Sequence, residues 1–304
     1  MSQSRENETD GLISPNIFAQ PLSIFGIPVD RDTIFSDHKK IYKPRIEKRQ
    51  RRLIVKVTAL KFFLQPQERI RCLTTGYSPV SVLEQVLTGP AFLFFKRAIL
   101  VFTDTRILHV RTSFGRKTGH AVSQIMYGDC SAIFMKGRAL VVSFKSGHKE
   151  TFNYIGRREK KKLRALIAEL PLQPEAPAEF RSRVALCPRC THVLKARIGF
   201  CEDCKLKFKT PLATGLLSLA VPGGGYLYCN KILLGAVAAG VELAAIIVLI
   251  IQWLNFRKGM PLQWGILAAA AGILILEKIV TAYHSIQMSH DYIPKSRDFE
   301  IRKT

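Results

Sequence analysis

Carboxylates are scarce in this 304-residue chain. Asp and Glu number 23 against 46 Lys and Arg, a formal net charge of +23. That imbalance points to anionic partners, lipid headgroups first and nucleic acid second. Catalytic signatures are missing as well. The chain has no HExxH, no phosphate loop, no nucleophile elbow and no dinucleotide fingerprint. Its seven histidines, His38, His109, His120, His148, His192, His284 and His290, are scattered, and none stands at a telling spacing from Asp or Glu. The expectation is a protein that is not an enzyme. A basic stretch followed by an apolar one is lacking at the N-terminus, "MSQSRENETDGLISPN". This argues against a secretory leader and for a soluble part that stays in the cytoplasm.

Charge nearly disappears between Pro211 and Ile286. Only Lys231, Glu242, Arg257, Lys258, Glu277 and Lys278 carry it there. Residues 1–209 hold 38 Lys and Arg against 18 Asp and Glu, so +20 of the net charge lies in that part. A basic soluble part followed by an apolar part predicts a protein of the inner (cytoplasmic) membrane, multi-pass, with its soluble domains cytoplasmic.

Residues 1–36 have no sustained period and are expected to be loose, docked at most through Ile24, Phe25 and Ile27. Residues 37–67 read as a basic amphipathic helix. Pro44 suits a first turn, and Ile46, Leu53, Val57, Leu60 and Leu64 make one apolar stripe. Lys39, Lys40, Lys43, Arg45, Lys48, Arg49, Arg51 and Arg52 crowd into 14 residues with one acid, Glu47. They form either a solvated face or a surface for anionic headgroups.

From 68 to 170 the chain alternates in short strand-like runs and ends in a helical pattern with Leu163, Ile167 and Leu170 on one stripe. The strand-turn-strand "LVFTDTRILHV", with Thr103, Asp104, Arg106 and Leu108, resembles a pattern of the bacterial pleckstrin-homology-like domains, of the general shape of GRAM domains. "MYGDCSAI", with Gly128–Asp129 at a turn, resembles a second element of that family. The resemblance covers about a third of the chain. It implies a small β-barrel or sandwich closed by a C-terminal helix, and no catalysis. "SVLEQVLTGPAFLFFK" departs from the family as a longer helical insertion near the barrel mouth.

Three prolines within seven residues open 171–184, which reads as a semi-rigid linker. Then "CPRCTHVLKARIGFCEDC" places Cys187, Cys190, Cys201 and Cys204 in the spacing C-x2-C-x10-C-x2-C. Each pair sets two thiolates on one side of an ion, and two pairs make a tetrahedron. This resembles a zinc ribbon over 185–209. It implies one structural Zn2+ with all four corners taken by protein; iron is the alternative metal, and a disulfide the alternative chemistry. Lys205, Lys207 and Lys209 lead directly into the apolar tract, as in a positive-inside anchor. A nucleic-acid reader is the weaker alternative, because Phe200 is the single aromatic between the knuckles.

The membrane part is expected over 210–290. Segments 232–254 and 264–286 are long enough to span, and 211–229 is short or re-entrant, broken by Pro222 and Gly223–Gly225. The run "SLAVPGGGYLYCNKILLGAV" loosely resembles TM2 domains through Gly223 to Tyr228. Glu242, Glu277 and Lys278 are expected at matching depth, with Glu242 and Lys278 paired. Ala236, Gly240 and Ala244 are expected to pack against 268–272. Residues 291–304 form a polar tail. The whole reads as a multidomain α+β membrane protein and a binding or scaffold module. Two alternatives are a transport or assembly component using the three intramembrane charges, and a membrane-tethered nucleic-acid binder. Besides lipid, a protein partner is expected but not identified.

Overall fold

The computed structural model describes residues 22–80, 96–112, 118–173, 175–195 and 199–295, and of 118–121 only the backbone. The insertion expected at 81–96 lies outside the described residues except for Lys96.

The protein is α+β and mostly antiparallel. One sheet contains β1 (Leu22–Ile24), β2 (Ile27–Val29), β3 (Ile70–Tyr77), β4 (Arg97–Thr103), β5 (Arg106–Thr112), β6 (Thr118–Met126), β10 (Val184–Leu186) and β11 (Val193–Leu194), in that spatial order. Among the described residues only the β2–β3 contact, at Val29 and Ile70, is parallel. A second sheet contains β7 (Cys130–Lys136), β8 (Ala139–Phe144) and β9 (Lys149–Phe152). The two sheets meet at a bridge between Tyr77 and Asn153.

Strand β4, RAILVFT, is apolar at every position from Ala98 to Phe102 because both of its faces are buried. Successive residues of a strand point to opposite faces. Ile99 and Val101 join a core with Ile27, Ile34, Ile54, Leu60 and Leu73. Leu100 and Phe102 join a second core with Ile133, Phe144, Phe152 and Leu163. The second core is capped by α3 (Lys160–Ala168), which buries Leu163 and Leu166.

The first core is covered by α1 (Arg31–Ile34) and α2 (Pro44–Lys56). Gln50 of α2 is 1% exposed and repairs an open strand edge. β2 reaches β3 only at Ile70, so the outer side of Leu73 lacks a ladder partner. The Gln50 amide donates to the Leu73 carbonyl (2.9 Å) and accepts from its N–H (3.0 Å). The helix predicted over 37–67 therefore ends at Lys56, and a 3-10 turn follows at Thr58–Phe62. The N-terminal stretch also differs from the expectation of looseness. From Leu22 it is built into the first core: Ile24, Ile27, Val29 and Ile34 are buried, while Phe25 is 63% exposed at the hairpin tip.

The segment read as a linker is fastened to the sheet. Asp129 Oδ1 accepts both the Glu179 N–H (2.7 Å) and the Phe180 N–H (3.2 Å). Ser146 and Lys145 donate to the carbonyls of Arg181 and Ala176. Beyond these contacts β10 pairs with β6, Val184 opposite Gln124 and Leu186 opposite Val122. The cysteine-bearing hairpin is thus an extension of the large sheet and not a separate module on a tether.

Four helices follow: α4 (Pro211–Ala220), α5 (Gly224–Tyr228), α6 (Ile232–Arg257) and α7 (Trp264–Ser289). α4 and α5 form a short helix-turn-helix. The turn depends on Gly223, whose φ of +63° is left-handed, and a Cβ there would lie 2.1 Å from the Gly235 carbonyl oxygen. α6 and α7 each have 26 residues, about 39 Å at 1.5 Å per residue. They form an antiparallel hairpin that is long and apolar enough to cross a membrane. The packing face of α6 is Gly235, Ala238, Glu242, Ala245 and Gln252. The expected small-residue face is not used, since Ala236, Gly240 and Ala244 are exposed. The buried face follows Glu242, whose carboxylate must be sequestered.

Past α7 the chain returns to the cysteine hairpin. Phe208 bridges Pro294, Lys209 N–H donates to the Ile293 carbonyl (2.9 Å), and Lys295 N–H donates to that of Lys207 (3.0 Å). The Tyr292 hydroxyl donates to the Lys195 carbonyl (2.9 Å). Both feet of the helical unit therefore stand at the cysteine hairpin.

Candidate functional site

Cys187, Cys190, Cys201 and Cys204 converge, their sulfurs all within 4.8 Å of one another. The pairs Cys187–Cys204 and Cys190–Cys201 are each 3.5 Å apart. A disulfide needs about 2.05 Å, and all four thiols are free. The corners of a tetrahedron around an ion bound at about 2.3 Å lie roughly 3.8 Å apart. The four sulfurs fit that spacing, so the cluster can hold a metal ion.

The two halves of the cluster share one backbone plan, 14 residues apart. Cys187 N–H donates to the His192 carbonyl (2.8 Å), and Cys201 N–H donates to that of Leu206 (2.9 Å). Thr191 N–H donates back to the Cys187 carbonyl, and Lys205 N–H to that of Cys201. Thr191 and Lys205 both take left-handed φ, +61° and +58°. Each turn aims backbone N–H groups at a sulfur, those of Arg189 and Cys190 at Cys187 and that of Leu206 at Cys204, which favours the thiolate a metal needs. Leu194, Leu206 and Phe208 pack beneath, and Tyr292 meets the Phe208 ring edge-on at 5.5 Å. Burial pushes the Cys187 thiol up to about 11. A cation must displace that proton to gain a thiolate ligand, so metal affinity falls as the solution becomes acidic.

The other cysteines lack these features. Cys72 and Cys130 stand alone in the second core, and burial raises them to about 11 and about 12, which makes them unreactive.

The basic residues singled out in the sequence have different fates. Lys39, Lys43, Arg45, Lys48 and Arg52 are exposed. Three others are engaged: Arg49 with Glu159 (3.0 Å), Arg51 with Glu47 (2.7 Å) and Lys40 with Glu169 (3.1 Å). Lys205 and Lys207 are exposed. Lys209 is only 8% exposed; its ammonium donates to the Tyr228 carbonyl and lies over the Tyr228 ring. It ties α5 to the cysteine hairpin, which takes it out of the solvent-facing, anion-binding surface expected for it.

Glu242 and Lys278 are brought together, 2.5 Å apart, with the Glu242 side chain fully buried. Glu242 also accepts the Gly223 N–H (3.0 Å), and Lys278 donates to the Ser218 carbonyl (3.0 Å). One ion pair thus pins the α4–α5 turn between the two long helices. Glu277 accepts from the Thr281 hydroxyl one turn along. Ser218 and Ser285 exchange a hydrogen bond at 2.8 Å, and the Tyr226 hydroxyl meets His284 at 3.0 Å. All of these polar groups face the interior of the helical unit.

The residues of the strand-turn-strand motif serve the fold. Arg106 is bidentate to Glu68 at 2.9 and 2.7 Å, and Thr103 donates to the same carboxylate at 2.7 Å. Asp104 accepts the Arg69 N–H. Glu68 gave no signal in the sequence, because its partner lies 38 residues away across a strand pairing. His109 is fully buried between Ser78 (2.8 Å) and Ser123 (3.0 Å). Desolvation, helped by Arg183, Arg111 and Lys96, holds it well below its ordinary value and therefore neutral.

No family description, curated protein or solved structure matches this chain.

Proposed function

We propose that the chain is a membrane-anchored, non-enzymatic binding or scaffold protein. In this reading α6 and α7 cross the bilayer, α4 and α5 re-enter it, and the soluble domain lies on the cytoplasmic face. The observation that carries the reading is the exposure of the helical hairpin. Only 22% of the most apolar stretch of α6, and 11% of that of α7, is buried in the protein. A core helix of a soluble protein would be mostly covered, and so large an exposed apolar surface calls for lipid. Trp253 and Trp264 stand near the far end of the hairpin, where interface anchors belong.

The four strands β3–β6, the three strands β7–β9 and the closing helix α3 follow the element order of pleckstrin-homology-like domains, and this supports the family resemblance. The N-terminal layer of β1, β2, α1 and α2 is an addition to that plan. The ion in the four-cysteine site is zinc in this reading. Thiolates select a soft or borderline cation, and four protein corners leave no open position for hydrolytic chemistry. The metal fixes the hairpin through which the soluble domain meets both feet of the membrane unit.

Extraction of native membranes with alkaline carbonate tests the anchor: the chain is expected to stay in the pellet, and its release would refute the reading. Metal analysis of the purified chain is expected to give one zinc per chain. Cys190→Ser should lose it while the helices still insert, and unchanged metal content in that variant would refute the site.

A further inference from the structure

A half-enclosed cleft of about 410 Å³ opens where the sheet, the fastened segment, the cysteine hairpin and the returning chain meet. Its walls carry Arg111, Arg181, Arg183 and Lys195 against one carboxylate, Asp291. The acids that meet Arg183 and Lys195, Glu150 at 3.5 Å and Glu202 at 2.9 Å, are not part of the lining. Arg181 has no ion pair among the described residues. The lining also includes apolar Val122, Leu186 and Val193. We propose that this cleft binds a phosphate monoester or diester, its oxygens on the guanidinium groups and its carbon skeleton on the apolar residues.

Several observations converge on that ligand class. Planar guanidiniums match phosphate oxygens two at a time, and partial enclosure strengthens each contact relative to open water. The volume lies within the range of small-molecule sites and exceeds what a bare anion needs. Neutral His109 sits at the inner wall, and Arg183 reaches it at 3.3 Å while also lying over the Phe152 ring at 5.7 Å. Arg183 is therefore held by packing in addition to charge, as a recognition residue should be. Asp291 occupies the place an incoming anion would take, since it pairs with Arg111 within the lining.

The cleft borders His290, Asp291 and Tyr292, directly beyond the end of α7. If the hairpin spans a bilayer, this is headgroup level. The site deepens the binding-module reading, but its chemistry does not require the membrane. The phosphate can belong to a lipid headgroup or to a soluble ester.

The test uses the full chain in neutral detergent. Glycerol 1-phosphate is titrated calorimetrically, and in a parallel arm the detergent micelles carry phosphatidylglycerol. Binding is expected in both arms, each competing with the other. Arg181→Gln and Arg183→Gln should each weaken it roughly tenfold. Asp291→Asn should tighten it several-fold, because it removes the internal competitor, and loss of folding cannot mimic a gain. Binding of glycerol 1-phosphate without binding of phosphatidylglycerol would keep the site and assign a soluble source. Absence of binding in both arms would overturn the proposal even if the chain remains in carbonate-washed membranes. So would binding that none of the three substitutions alters, which would assign the anion to surface lysines.

Discussion

Replacing Arg106 with Met should be among the most damaging single changes in the sheet region. The guanidinium is 5% exposed and its partner Glu68 is 1% exposed. Besides the bidentate contact it donates to the Phe63 carbonyl at 2.7 Å and to Gln124. Met retains the stem but leaves the Glu68 carboxylate buried without its cation. Breaking one side of a buried pair costs about 3–5 kcal/mol. For a domain of this size, that lowers the calorimetric midpoint by roughly 10 °C. The double variant Glu68→Gln with Arg106→Met removes the stranded charge and should recover most of the loss. The pH dependence has a definite sign. Burial pushes Glu68 up, but Arg106, the Gln65 N–H and Thr103 together hold it below the ordinary glutamate value. The stabilisation is present above the unfolded value and disappears as pH falls through the folded one. Arg106→Met removes the largest influence opposing burial and leaves only the Gln65 N–H and Thr103, so that variant gains relative stability on acidification, and its deficit against wild type should narrow toward pH 4. A deficit below about 1 kcal/mol, or one that widens on acidification, would refute the assignment of the pair as the buried polar keystone.

Three further outcomes test the helical unit and its attachment. Gly225→Ala sets a Cβ 1.8 Å from Ser218 Oγ and 2.5 Å from Ser285 Oγ, whereas Gly240→Ala meets nothing within 4 Å; thermal denaturation in detergent should fall by several degrees for the first and not for the second. Lys278→Met strands a fully buried carboxylate at a cost of about 3 kcal/mol, and adding Glu242→Gln should restore the yield of inserted protein. Asp129→Ala removes the acceptor of two backbone N–H groups, and hydrogen exchange at Glu179 and Phe180 should accelerate at least tenfold, while the metal stays bound.

What the sequence made legible followed from local rules. Two C-x2-C pairs state their geometry through spacing alone, and a 26-residue apolar helix states its length. Depth arithmetic along an antiparallel hairpin places Glu242 opposite Lys278 because helical rise is constant. The less legible features depend on contacts that carry no periodic signal. The segment 171–184 looks like a linker, with its prolines and mixed charge, because its attachment is made by backbone groups to Asp129. Lys209 looks like one more juxtamembrane cation, and only the return of α5 shows that its ammonium is used internally. The heptad-like stripe from Ile46 to Leu64 suggests one long helix, but the docking of Gln50 and Leu60 on the sheet stops the regular part at Lys56. Small residues at Ala236, Gly240 and Ala244 suggest a packing seam, but they lie about half a turn around the helix from the face that buries Glu242.

The return of residues 291–295 to Lys207 and Lys209 sets an order of assembly. Ribosomes make chains from the N-terminus, so the cysteine hairpin emerges well before the segment that buttresses it. Until α7 is in place the hairpin lacks Tyr292, Ile293 and Pro294, and the cleft beside it lacks one wall. A chain arrested before its last helix would present a half-built surface with Phe208 uncovered. The cysteine hairpin and its cleft are thus complete only once the helical unit is, and loss of the last helix leaves that seam without its cover.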